Sequence, residues 1–271
     1  MKLLEHFKEL SLHPNNAEEL KGLILQLAVQ GKLTANWREK NPDVESASIL
    51  FYKIQEEKAE LIKQKKIRNE RVKKRFAKST AEFNVPKTWK SCNLTEVYYT
   101  IGGKENQIKT NEYLDKGYYP VVSQGKKLFE GYSNDESKVL KVLKPVVVFG
   151  DHTRVVKLID FDFIIGADGV KILAPCSHIL SEYFFFYLSS IDLSSRGYAR
   201  HYSHLKNEPF SLPPLEEQKA IVEIVNSLMS LCDELEKQIE TSQIQIEQLM
   251  QSCLKEVFES NHKIEKNGIS S

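Results

Sequence analysis

Three short stretches gather side chains able to hydrogen-bond to phosphates and base edges. In Val148-Phe149-Gly150-Asp151-His152-Thr153-Arg154 an apolar run ends in a glycine turn that presents His152, Thr153 and Arg154. The stretch from Ser194 to His204 sets Arg196, Tyr198, Arg200, His201, Tyr202 and His204 among serines. Ser123-Gln124-Gly125-Lys126-Lys127 offers Ser123, two ammonium groups for phosphates, and in Gln124 an amide of the shape that pairs with adenine in a major groove. Such donors mixed on turns are what groove-facing loops require. Each stretch also has a plainer reading, as a surface hairpin, a solvated loop or a bare turn.

Patterns for bond-making chemistry are missing. An amine methyltransferase would carry a glycine-rich loop after a strand and an Asn/Asp-Pro-Pro-aromatic stretch, and neither occurs. Gly102-Gly103-Lys104 lacks the spacing and the hydroxyl of a phosphate-binding P-loop. A metal nuclease would have to be assembled from Pro42-Asp43 and Glu136-Ser137-Lys138, which lie in different regions. No pair among His152, His178, His201 and His204 has metalloprotease spacing. Cys92, Cys176, Cys232 and Cys253 form no CxxC pair, which leaves no zinc motif and no disulfide framework. The expectation is a chain without metal, cofactor or catalytic residue.

The elements that must position these loops follow from periodicity. Residues 83–212 alternate short β-branched and aromatic runs with Gly and Pro turns, which reads as an irregular, mostly β domain with a helix at 181–190. Residues 15–30 read as a helix closed by Gly31, and about 46–78 as a second. Glu216 to Phe258, free of Gly and Pro, reads as one long helix of roughly 60 Å. Two seven-residue series run along it, Ile221, Leu228, Leu235, Ser242, Leu249 and Val225, Cys232, Ile239, Ile246, Cys253. Their offset of four is that of a heptad seam, which predicts a partner helix or, less demandingly, packing on the β domain. Charge divides by segment: residues 46–80 hold eleven Lys and Arg against four Asp and Glu, and 213–271 hold five against eleven. The basic helix could therefore bind phosphate or lie antiparallel along the acidic one. Met1 to Leu12 reads as an amphipathic helix without the uncharged core of a secretory signal, which points to the cytoplasm with no membrane span.

The order of several pieces resembles the specificity subunit of type I restriction-modification systems. Leu20 to Leu33 is similar to the end of that family's central spacer helix with its Ala-x-x-Gly-Lys-Leu turn. Val85-Pro86-Lys87-Thr88-Trp89-Lys90 resembles the Pro-x-x-Trp start of a target recognition domain, and Phe149-Gly150-Asp151 with Phe163 to Leu173 resembles its middle. Leu212-Pro213-Pro214-Leu215-Glu216-Glu217-Gln218 resembles the junction into the conserved helix. The resemblance implies an α+β fold, with one mostly β target recognition domain at 81–212 flanked by long helices that form a coiled-coil spacer. It places a central-spacer-like helical region at 1–80, a coiled-coil helix at 213–260 and a disordered tail at 261–271. Implied partners are double-stranded DNA, a modification subunit and a restriction subunit, with S-adenosylmethionine and ATP held by those subunits and none here. Family members commonly carry two recognition domains, and this chain resembles the second half of one. A homodimer paired through Ile221, Val225, Leu228, Cys232, Leu235, Ile239, Ile246 and Leu249 would rebuild the whole, each copy reading one half-site. A rival reading is a coiled-coil adaptor that binds proteins without DNA specificity.

Overall fold

The computed structural model describes residues 16–68, 85–166, 168–193 and 200–267. The chain divides into two units, one of residues 25–225 and one of residues 1–24 with 226–271. The segment Met1–Leu12 and the basic residues 69–78 lie outside the described residues.

Helix α1 (Asn16–Val29) ends where Gly31 takes a left-handed φ of +69°. A Cβ there would sit 2.7 Å from Pro86 Cγ and 3.0 Å from Trp89 Cζ2, so glycine is needed for both conformation and space. Helix α2 (Ala35–Lys40) and helix α3 (Ala47–Lys63) follow. The helix expected over about 46–78 is thus shorter, because the chain leaves α3 through a turn in which Lys65 adopts φ +57°. The basic half of the helix that the charges could set against the acidic one falls largely on residues 69–78, outside the described residues. Helix α3 itself belongs to the 25–225 unit. It lies on the β body, where Lys58 donates to the carbonyls of Thr95 and Tyr98, and Glu57 accepts from Ser177.

The body holds three small sheets. Strands β1 (Lys90–Asn93) and β9 (Pro209–Leu212) pair antiparallel and close the two ends of the body against each other. The central sheet runs β2 (Tyr98–Ile101), β8 (Val170–Pro175), β5 (Val146–Gly150), β6 (Val156–Ile159), antiparallel throughout. The third sheet has β3 (Tyr119–Val122) between β4 (Gly131–Ser133) and β7 (Ile164–Ile165), with β3 and β7 parallel. Strand β5 is buried along its whole length, as a Val-Val-Val-Phe run in mid-sheet must be. Val146 and Val148 meet Val122, Phe163 and Ile172 in the core. Helix α4 (Ser181–Ser190), at the expected bounds, covers β5, β6 and β8. Its Tyr183 and Tyr187 hydroxyls donate to the carbonyls of Ser211 and Pro209, and Phe210 packs 4.4 Å from the Tyr187 ring. The fold is α+β, a mostly β body with flanking helices, as expected.

After Pro213-Pro214 the chain enters helix α6 (Leu215–Asn267), helix α5 being the short Tyr202–Leu205 turn before β9. In its first turn Glu217 is only 1% exposed. Its carboxylate accepts from Thr34 Oγ1 at 2.7 Å, from Trp89 Nε1 at 2.8 Å and from the Arg38 guanidinium, which also donates to the Gly31 carbonyl at 2.7 Å. Next to it, buried Gln218 accepts from the Leu180 amide and donates to the Pro213 carbonyl. A buried charge persists only when paired and hydrogen-bonded, and this one draws the Gly31 turn, the Pro-x-x-Trp segment and α6 to one point.

The second unit is described over residues 16–24 and 226–267. Lys21 bridges Asp233 at 2.7 Å and Glu236 at 2.9 Å, and the two carboxylates raise its pKa above the ordinary value. Along the heptad series, Ile221, Val225 and Cys232 are buried, Leu228, Leu235 and Ile239 are half-buried, and Ile246 and Leu249 stand 59% and 65% exposed. Helix α6 continues to Asn267, into the stretch expected as a tail.

Candidate nucleic-acid interface

One end of the central sheet collects the polar loops because of its register. Gly150 at the end of β5 pairs with Val170 at the start of β8, Phe149 pairs with Val156 at the start of β6, and Ile101 at the end of β2 pairs with Ile172. Residues 102–107, 151–155 and 168–169 therefore emerge side by side, since antiparallel neighbours turn at shared ends.

Two further loops are tied to them by hydrogen bonds. Lys157, buried on β6, donates to the carbonyls of Ser123 and Lys127 and so fixes the 123–127 turn from behind. Burial lowers its pKa, by penalising the ammonium form. Thr153 Oγ1 donates to the Gln124 carbonyl at 2.6 Å, and the Gln124 amide accepts from the His152 N–H and donates to the Asp168 carbonyl. Buried Asp151 holds the fifth loop: its carbonyl accepts from His201 N–H at 2.9 Å, its carboxylate from Tyr202 N–H at 2.8 Å, and its own N–H donates to the Gly169 carbonyl. Rigid anchoring of this kind lowers the ordering entropy that a contact surface loses on binding.

The three stretches chosen from sequence thus meet, though not every chosen side chain is presented. Lys126, Lys127, Thr153, Arg154 and Arg200 are exposed, and Gln124, His152 and His204 are half-buried. Arg154 holds a left-handed φ of +62° and donates to the Leu193 carbonyl at 2.6 Å. Ser123 and Tyr202 are buried, and His201 is only 2% exposed. These three organise the loops more than they face solvent. Arg196 and Tyr198 lie outside the described residues. Sequence reading passed over Lys104, Gln107, Lys171 and Lys206, which border the same end. The signal was present, since Tyr-Tyr-Thr-Ile-Gly-Gly-Lys repeats the pattern of an apolar strand ending in glycine that drew attention to Phe149-Gly150-Asp151.

Among the described residues no group of His, Cys, Asp and Glu is placed to hold a metal ion. Burial pushes the Cys176 thiol up to about 12 and that of Cys92 well above the ordinary range, far from the thiolate a nucleophile needs. Among the described residues no helix is long and apolar enough to cross a membrane.

Comparison with known proteins is consistent with this arrangement. Residues 86–245 match the family model described as the type I restriction modification DNA specificity domain. The chain is 26% identical over 268 residues to the type I restriction enzyme EcoAI specificity subunit of Escherichia coli, covering 90% of this chain and 45% of that protein. It is 28% identical over 269 residues to the EcoEI specificity subunit of the same organism, covering 90% of this chain and 44% of that one. The chain spans about half the length of these curated relatives. A solved structure from work on complex assembly and conformational transition of the type I R-M system aligns with TM-score 0.55 at 20% identity. That alignment covers 84% of this chain and 58% of that one.

Proposed function

Because this chain belongs to the type I restriction modification DNA specificity family, we propose that it reads double-stranded DNA for a type I restriction-modification complex and makes or breaks no bond itself. The observation that carries the reading is the convergence of the 123–127, 151–155 and 200–206 loops, distant in sequence, on one end of the central sheet. Lys126, Lys127 and Arg200 suit phosphates, which set register on the duplex, while Thr153, Arg154, His152 and Gln124 suit base edges. Methyl transfer and cleavage belong to a modification and a restriction subunit, which hold S-adenosylmethionine and ATP and dock on the helices. Two copies of this chain pair and read two identical half-sites in inverted orientation, as two-fold symmetry requires. The work is done in the cytoplasm.

The test is to assemble the full chain with its modification subunit, sequence the sites methylated in cells, and measure affinity for that site. Arg154→Ala should weaken cognate binding by roughly 5- to 150-fold, the range of about 1–3 kcal/mol per specific contact. Arg200→Ala should weaken binding and flatten its salt dependence by about 0.9 in slope, as loss of one phosphate contact does. Methylation that ignores sequence, or unaltered affinity in both variants, overturns the assignment.

A further inference from the structure

Resting on the reading of this chain as a DNA binder, we infer that Lys104, Lys171 and Lys206 form a phosphate track beside the reading loops, with Tyr202 as its internal platform. A groove of about 390 Å³ opens where β2 ends and β8 begins, bordered by Gly102, Lys104, Gln107, Gly169, Lys171 and Tyr202. Two of these positions are glycines in left-handed conformation, Gly102 at φ +71° and Gly169 at φ +90°. Glycine is required at both positions by conformation and by internal packing, since a Cβ at Gly102 would stand 2.7 Å from Ile165 Cδ1.

The groove is continuous with the reading loops through Gly169. Its carbonyl accepts from Asp151 N–H, and a Cβ on it would stand 2.8 Å from Gln124 Oε1 and 2.9 Å from His152 Cδ2. Gln107 donates to the Asp168 carboxylate at 3.2 Å, which engages the acid on this rim in an internal bond. Two cations converge on one ring: Lys171 Nζ lies 5.7 Å from the Tyr202 centroid and Lys206 Nζ 5.2 Å. Both distances are inside the ~6 Å range of cation–π attraction. The buried ring, whose hydroxyl meets that of Tyr98 at 3.2 Å, steers two flexible ammonium groups to one place. Tyr202, chosen from sequence as a DNA contact, on this account acts through the lysines around it.

Phosphate contacts are independent of sequence, so the probe is a labelled duplex of mixed sequence, titrated with the full chain between 50 and 200 mM salt. Each neutralised phosphate steepens the fall of log affinity with log salt by about 0.9. Lys171→Gln and Lys206→Gln should each flatten the slope by about that amount, and the double variant by about twice it. Lys144→Gln, just before β5 begins and so at the opposite end of the sheet, should leave the slope unchanged. A wild-type chain without salt-sensitive affinity would remove the DNA-binding reading itself. Wild-type binding with an unchanged slope in the double variant, or an equal loss in Lys144→Gln, would overturn the track alone.

Discussion

Glu208, just before β9, is 8% exposed, and its Oε2 has no hydrogen-bond partner among the described residues. Burial raises its pKa above the ordinary 4.5, since the charged form loses hydration without compensation. The native state therefore holds this proton more tightly than the unfolded chain. Stability from this group is greatest below 4.5 and declines as pH rises through the window up to the raised value. Glu208→Gln removes the buried charge and should raise stability near neutral pH and flatten the pH dependence in that window. Urea unfolding between pH 4 and pH 8 reads both, and an unchanged midpoint near pH 7 would contradict the account. Residue types near the interface were legible in sequence, whereas facing was not. Tyr202 and His201 looked like contacts because they sit among arginines, yet the carboxylate and carbonyl of Asp151 fold that loop so that both rings turn inward. Lys171 looked like an ordinary strand residue because its significance depends on Gly150 pairing with Val170.

At the scale of elements, the joint around Glu217 shows what a linear reading leaves out. An acid in the first turn of a long helix reads as a solvated partner of the helix dipole, and nothing in Leu-Pro-Pro-Leu-Glu-Glu-Gln tells Glu216 from Glu217. Glu216 indeed meets Lys219 at the surface, while Glu217 is the shared acceptor of Thr34, Arg38 and Trp89. The Gly31 turn, the Pro-x-x-Trp segment and the helix start were each visible as punctuation, and their meeting was not. The helix over 46–78 was overextended for a related reason: charged residues without Gly or Pro carry helical propensity, and only the turn at Lys65 ends α3. Glu217→Ala should destabilise the body by about 3–5 kcal/mol, because a half-buried guanidinium and a buried indole N–H lose their acceptor together. Glu217→Gln keeps one acceptor oxygen and should lose less. Denaturant unfolding followed by tryptophan fluorescence measures both, and a loss under about 1 kcal/mol in the alanine variant would show that the joint does not hold these segments.

Across the whole molecule, the heptad series changes character along α6. Its early members are covered within the chain, but Ile246, Leu249, Met250 and Leu254 form an exposed row at helical spacing. Four large apolar side chains on one stretch of helix are an unusual solvent surface, and burying each is worth about 1.5–3 kcal/mol. A second copy would supply a surface of the same kind, since a two-fold axis brings a patch onto itself. Ile246→Glu combined with Leu249→Glu places like charges on both sides of such a seam without touching the body. The wild-type chain should then run in sedimentation equilibrium at twice 31.2 kDa, and the variant at 31.2 kDa with its unfolding transition intact. The variant should retain salt-sensitive affinity for mixed-sequence duplex while losing the gain that comes from occupying two half-sites on one molecule. A wild-type chain that sediments at 31.2 kDa while still binding duplex one to one would remove the homodimer and leave the DNA-reading surface standing.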